Sequence, residues 1–251
     1  MGALKTDMSI YKKFNFERPP VGIKYLFHKP EGIKQLDKEL ALCEMLKEAQ
    51  ERGEPFYFTK ENESCFGKSF LGMTGESELA DGGLLGVKLE VFQDGRANTA
   101  LRRQFKHLES GSVNYVAMSP LDKMTFDPDL IVLTGTPSQA EVALRATTYA
   151  TGDLYESKST SVGGCIWLYV YPFLSGKVNF TITGLAFGMK GRQVFPEGLM
   201  LISIPYQQIP AITRNLNEMK WVPTGYTLDK DEFNKWEKGM VAEVMQEGRN
   251  P

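Results

Sequence analysis

Three cysteines are the residues of this 251-residue chain best suited to chemistry, because a thiolate is both a nucleophile and a soft metal ligand. They stand at Cys43, Cys65 and Cys165, separated by 22 and then 100 positions. No Cys-x-x-Cys pair occurs, and an odd count at such spacings describes no disulfide framework. The count does suit a reducing compartment. Cys65 and Cys165 lie in or beside glycine-rich backbone: seven glycines fall between Gly67 and Gly95, and Gly163-Gly164 immediately precede Cys165. Glycine permits positive φ and close backbone approach, so this density marks either a set of tight turns or the wall of a ligand site. Unhindered N–H groups beside sulfur suit an iron-sulfur cluster or another thiophilic centre. Three thiolates hold a cubane with one open iron, or zinc with His107 or water as the fourth ligand. The plainer alternative is three unrelated packing thiols, and Cys43 taken alone reads that way.

Other chemistries lack their motifs. Gly67-Lys68-Ser69 looks like the end of a P-loop, but the leading glycine would fall on Asn62. No Gly-x-Gly-x-x-Gly follows a strand, and Gly-x-Ser-x-Gly is absent. With only His28 and His107, a Ser-His-Asp or Cys-His device has no recognisable setting. A second glycine-rich stretch, Thr183 to Arg192, ends in Lys190 and Arg192. Together with Lys24 and Lys68, these residues define an alternative: a metal-free site for a small anionic ligand. A structural or partner-binding subunit is the third reading.

The elements that must position these residues are clearest between Ser112 and Gly152. Val113, Tyr115 and Ala117 alternate as a half-buried strand does, and Pro120 stops the run. Leu130-Ile131-Val132-Leu133 is apolar throughout, which predicts a central strand covered on both faces. Thr136 then caps a helix with Pro137 at its first position. At an offset of 68 residues, Asp129 to Leu144 lies over Glu197 to Ile212, sharing an acidic residue, an apolar run, Pro-x-Gln and an alanine. This suggests a duplicated strand-Pro-x-Gln-helix unit, the second helix beginning at Pro210.

The run from Tyr115 to Leu144, the opening RPPVGIKYLF at Arg18 to Phe27 and the late EGLMLISIP resemble the uncharacterised ArCR-type domain-of-unknown-function family, number one-six-nine. The likeness extends from about Phe16 to Lys220 and implies a widespread prokaryotic, soluble protein with no established activity. Sequences of that type are similar in carrying cysteines near Cys43, Cys65 and Cys165, which favours the metal reading. Many also carry a cysteine in the second glycine-rich loop, where this chain has Leu185-Ala-Phe-Gly188.

The fold expected is a single α/β or α+β domain, a mixed sheet covered by helices, with its core at about 16–220. Strands are placed at 21–27, 113–118, 130–134, 166–171, 177–183 and 199–204, with a further short aromatic strand at Pro55 to Phe58. Helices are placed at 31–52, 137–151, 210–220 and 229–247. The last carries Phe233, Trp236, Met240, Val241 and Val244 along one side and is expected to dock on the body or on a second copy, which makes a homo-oligomer an option.

A formal charge of −2 and an ordinary 24% of charged residues give no basic stripe for nucleic acid. No apolar stretch approaches membrane-spanning length and the amino terminus lacks a secretion signal, so a cytoplasmic protein is expected. Met1-Gly2 with Thr6 matches only the loose myristoylation pattern. The function expected first is therefore a metal or iron-sulfur protein, open to redox work with an unidentified small molecule or redox partner.

Overall fold

Residues 6–75 and 84–248 are described by the computed structural model; Met1-Gly2 of the myristoylation pattern and Gly82-Gly83 of the first glycine-rich stretch lie outside them. The described strands are β1 (Arg18–Leu26), β2 (Lys34–Gln35), β3 (Phe56–Phe58), β4 (Tyr115–Pro120), β5 (Leu130–Gly135), β6 (Asn179–Ile182) and β7 (Met200–Pro205). They form one mixed sheet in the order β2-β3-β4-β1-β5-β7-β6, parallel between β2 and β3 and antiparallel elsewhere. The fold is α/β. In β1, the register against β5 shifts between Arg18 and Val21, where Pro19 and Pro20 have no N–H to offer.

The described helices are α1 (Leu42–Arg52), α2 (Gly67–Phe70), α3 (Leu85–Lys88), α4 (Gly95–Arg102), α5 (Pro137–Thr148), α6 (Tyr171–Ser175), α7 (Phe187–Gly191), α8 (Ile209–Glu218) and α9 (Lys230–Glu247). One face of the sheet, with Ile131, Leu133, Ile202 and Ile204, packs against α5, α8 and the turn Ser9–Phe14. The opposite face, with Val21, Ile23, Phe56, Val116, Met118 and Val132, packs against α1, α2 and the buried segment Ile166–Val170. The apolar run of β5 is buried along its whole length, as a strand covered on both sides must be.

The expected start of α5 is present in detail. Thr136 Oγ1 accepts from Gln139 N at 3.3 Å, while Gln139 Oε1 accepts from Thr136 N at 2.8 Å. Gln139 Nε2 also donates to Phe14 O at 2.9 Å, which fastens the amino-terminal turn. The two halves of the suspected duplication lie side by side, with β5 paired antiparallel to β7 from Leu130↔Pro205 to Gly135↔Met200. Their Pro-x-Gln segments do different work, however. Pro137 opens α5, whereas Pro205 ends β7 and a 3₁₀ turn, Tyr206–Gln208, precedes α8. α8 starts at Ile209 with Pro210 in its first turn, where a missing N–H costs nothing.

Three placements differ from the sequence reading. Residues 166–171 form no strand: Ile166–Val170 is a wide helical turn running into α6, with all five side chains buried. A short run that is apolar all round suits a buried helical segment as well as a strand, and its pattern does not choose between them.

The helix expected from residue 31 begins only at Leu42. Lys34–Gln35 adds an edge strand beside β3, and Leu36 N donates to Tyr57 O at 2.7 Å. Asn62 Nδ2 then takes the carbonyls of Leu36 (2.9 Å) and Lys38 (3.1 Å), so the 36–38 stretch is held extended by distant partners.

α9 does not dock along the body. None of its residues is buried, and Val241 and Val244 are 57% and 62% exposed. Its contact is with the turn Thr224–Thr227, where Phe233 and Trp236 close over Gly225.

Candidate functional site: a pocket lined by three cysteines

The late start of α1 changes the position of Cys43. It is the second residue of the helix, at the end that faces the chain's other two thiols. Cys65 lies in the turn between Glu63 and α2, and Cys165 follows Gly163-Gly164 at the entry to the 166–170 turn. All three line one cavity of about 140 Å³ on the sheet face opposite α5 and α8. Its walls are mainly apolar, with Leu42, Phe66, Phe70, Phe105, Val162 and Met189 among them. Glu63, Asn98, Arg102 and Arg192 supply its polar groups.

The glycines of the wall serve close approach. A Cβ on Gly164 would lie 2.7 Å from the Ala186 side chain, and Gly163 has φ +69° with Phe105 against it. A Cβ on Gly67 would meet Glu63 Oε1 and Leu42 Cβ, each at 3.0 Å. At these positions glycine lets neighbouring segments pack closely around the cavity.

Burial pushes the Cys43 thiol up to about 11; the Arg192 guanidinium pulls the other way, and Glu44 and Cys65 add to the rise. The Cys165 thiol is raised further, by burial first and then by Cys43, Cys65 and Glu63. Cys43 and Cys165 therefore carry their protons at neutral pH. Among the described residues, no group of three or more His, Cys, Asp and Glu side chains is gathered tightly enough to hold a single metal ion.

Glu63 is 1% exposed, and burial raises its pKa against the pull of three backbone N–H donors. Its Oε1 accepts from Leu42 N at 3.1 Å, and its Oε2 from Cys65 N and Lys68 N, both at 3.1 Å. Asn98, on α4, is 3% exposed, and its Nδ2 has no hydrogen-bond partner among the described residues.

The basic residues considered for an anion do not gather. Lys24 Nζ donates to Asp127 O at 2.7 Å, away from the cavity, and has Asp129 Oδ1 at 3.9 Å. Lys68 Nζ donates to Glu63 O at 2.8 Å, and Lys190 pairs with Glu197 at 2.9 Å. Of these four, only Arg192 lines the pocket; its Nη1 donates to Gly188 O at 3.2 Å and its Nε lies 3.8 Å from Glu44. His107 packs its ring on Phe70, centroids 5.1 Å apart, outside the pocket lining. Glu63, Asn98 and Arg102 were not legible as site residues. The one hint to Glu63 is Ala41 at the head of α1, a helix start whose own side chain caps nothing.

With this geometry in view, comparison places the chain. The model of the domain-of-unknown-function family described as uncharacterised ArCR matches residues 9–215, and the chain belongs to that family. It is similar to the uncharacterized protein MJ0308 of Methanocaldococcus jannaschii, 28% identical over 213 residues, covering 83% of this chain and 91% of that protein. No solved structure matches it significantly. No described helix is long and apolar enough to cross a membrane.

Proposed function

We propose that the protein carries a thiophilic centre, an iron-sulfur cluster before a lone zinc ion, in the pocket lined by Cys43, Cys65 and Cys165. The observation that carries this reading is that every cysteine of the chain, from three separate segments, borders the same cavity. Unrelated packing thiols have no reason to meet.

The size of the cavity favours a cluster. A single ion with metal–sulfur bonds of about 2.3 Å needs sulfurs drawn round one point. The pocket has instead the volume of a cavity that admits a benzene-sized body, roughly 150 Å³. Three thiolates would leave one position of a cubane open to a small molecule or to electron exchange with a redox partner. Binding releases thiol protons, so affinity rises with pH, and Arg192 beside Cys43 offsets the negative charge that results.

A second reading rests on the apolar lining and the protonated Cys43 and Cys165: a metal-free pocket for a small apolar molecule whose polar end meets Arg192 or Asn98. Absorption and electron paramagnetic resonance spectra of protein purified without oxygen separate the two. A broad visible absorption band that bleaches on reduction supports the cluster; a colourless protein that binds 1-anilinonaphthalene-8-sulfonate, with binding lost when Leu85 is enlarged to tryptophan, supports the second reading.

A further inference from the structure

α1 and α2 begin without caps of their own. The residue before α1 is Ala41, whose methyl group accepts nothing, and the residue before α2 is Phe66. The first N–H groups of a helix have no partner within it and must find one elsewhere. At α1 the N–H of Ala41 goes to Glu44 Oε2 at 2.9 Å, but that of Leu42 crosses to Glu63 Oε1. At α2 the N–H of Lys68 goes to Glu63 Oε2, which also takes the N–H of Cys65. One buried carboxylate therefore serves two helix starts. Its three donors are the residue before Cys43, Cys65 itself, and the residue three beyond Cys65.

The main chain reinforces the same crossing. Leu40 and Glu63 form a parallel bridge, Ser64 N donates to Leu40 O at 3.1 Å, and Lys68 Nζ holds the Glu63 carbonyl. Gly67 leaves room for the carboxylate, since a Cβ there would stand 3.0 Å from Oε1.

We infer that Glu63 is the positioning residue of the cysteine pocket: its carboxylate ties the segment carrying Cys43 to the segment carrying Cys65 and so sets the separation of those two thiols. This rests on the reading of the pocket as the functional site, and adds to it a residue that is not itself a thiol. Charge-assisted bonds to backbone N–H are the stronger kind, and three on one buried group give a rigid joint. An amide in its place has only one acceptor oxygen, and its NH₂ would face backbone donors.

The test is thiol bridging in the full chain with dibromobimane, a short reagent that joins two nearby sulfurs, read by peptide mass spectrometry. Wild-type protein should yield a Cys43–Cys65 bridged peptide. Glu63→Gln should lower that yield about tenfold, the population shift expected for one lost charge-assisted hydrogen bond. Leu71→Ala, which removes buried packing nearby without touching the carboxylate's bonds, should leave it unchanged. Should the glutamine variant not fold, Glu63→Asp takes its place, since a shorter carboxylate cannot reach both helix starts.

Equal yields in wild type and the Glu63 variant, an equal fall in Leu71→Ala, or no bridged peptide in wild type would each overturn the inference. Bridging requires no metal, so its outcome is separate from the iron and sulfide content that decides the cluster reading.

Discussion

On one face of the sheet, α5 and α8 lay regular apolar stripes over Ile131, Leu133, Ile202 and Ile204, all of them buried. On the other face, α1 is joined by four-residue helices, a wide helical turn and glycine-rich connections, and a cavity of about 140 Å³ remains among them. The same strands supply both faces: Leu130 and Val132 point one way, Ile131 and Leu133 the other. Regular helices fill space efficiently because their side chains interdigitate over long seams. Short segments that arrive from different directions meet at their ends, where backbone groups and small residues leave room. One face is therefore covered by two regular helices, and the other keeps a hollow lined by all three cysteines.

The largest effect that sharpens this contrast is on packing. Ile131→Ala beneath α5 and α8 should destabilise the protein by about 3 kcal/mol, because Ile131 is fully buried and its truncation leaves a cavity. Leu85→Ala at the pocket should cost under about 1 kcal/mol, since Leu85 is half-buried and already borders empty space. Urea unfolding of the two variants measures both; equal losses would mean that the two faces are packed alike.

The face under α5 and α8 was legible because its signals are local. The cap and proline of α5, the uniform burial of β5 and the proline in the first turn of α8 each follow from a few neighbouring residues. The pocket face was legible only in part. Cys65 and Cys165 beside glycines pointed to one place, and all three cysteines border one cavity. The late start of α1 was hidden, because Leu36 and Leu40 continue a helical spacing while β3 and Asn62 hold that stretch extended. The turn at Ile166–Val170 was hidden because a run apolar on every side has no face to report. Glu63 was hidden because it caps across the chain, 21 residues from Leu42.

The next effect is on pH dependence. Cys43 is held protonated by burial, with its pKa pushed up to about 11. A thiol raised in the folded state contributes stability that is present below its ordinary range near 9 and is lost as pH rises through about 11. Wild type should therefore lose on the order of 2 kcal/mol more than Cys43→Ala between those limits. Urea unfolding of the pair at both pH values isolates this from other alkaline titrations; parallel losses would remove the thiol's burial from the account.

The smallest effect is expected at the carboxy terminus. With no buried residue on α9, ending the chain after Leu228 should change stability by less than about 0.5 kcal/mol. A larger loss at low protein concentration would show that α9 packs on the body in solution, and a loss that appears only at high concentration would assign its apolar side to a second copy.

The most direct test of the central claim is the iron and acid-labile sulfide content of protein reconstituted without oxygen, compared across wild type, Cys43→Ser, Cys65→Ser and Cys165→Ser. If the three thiols hold one centre, wild type contains iron and sulfide in similar amounts and each substitution lowers both together. Wild type without iron or sulfide, or serine variants that retain the wild-type content, would contradict it.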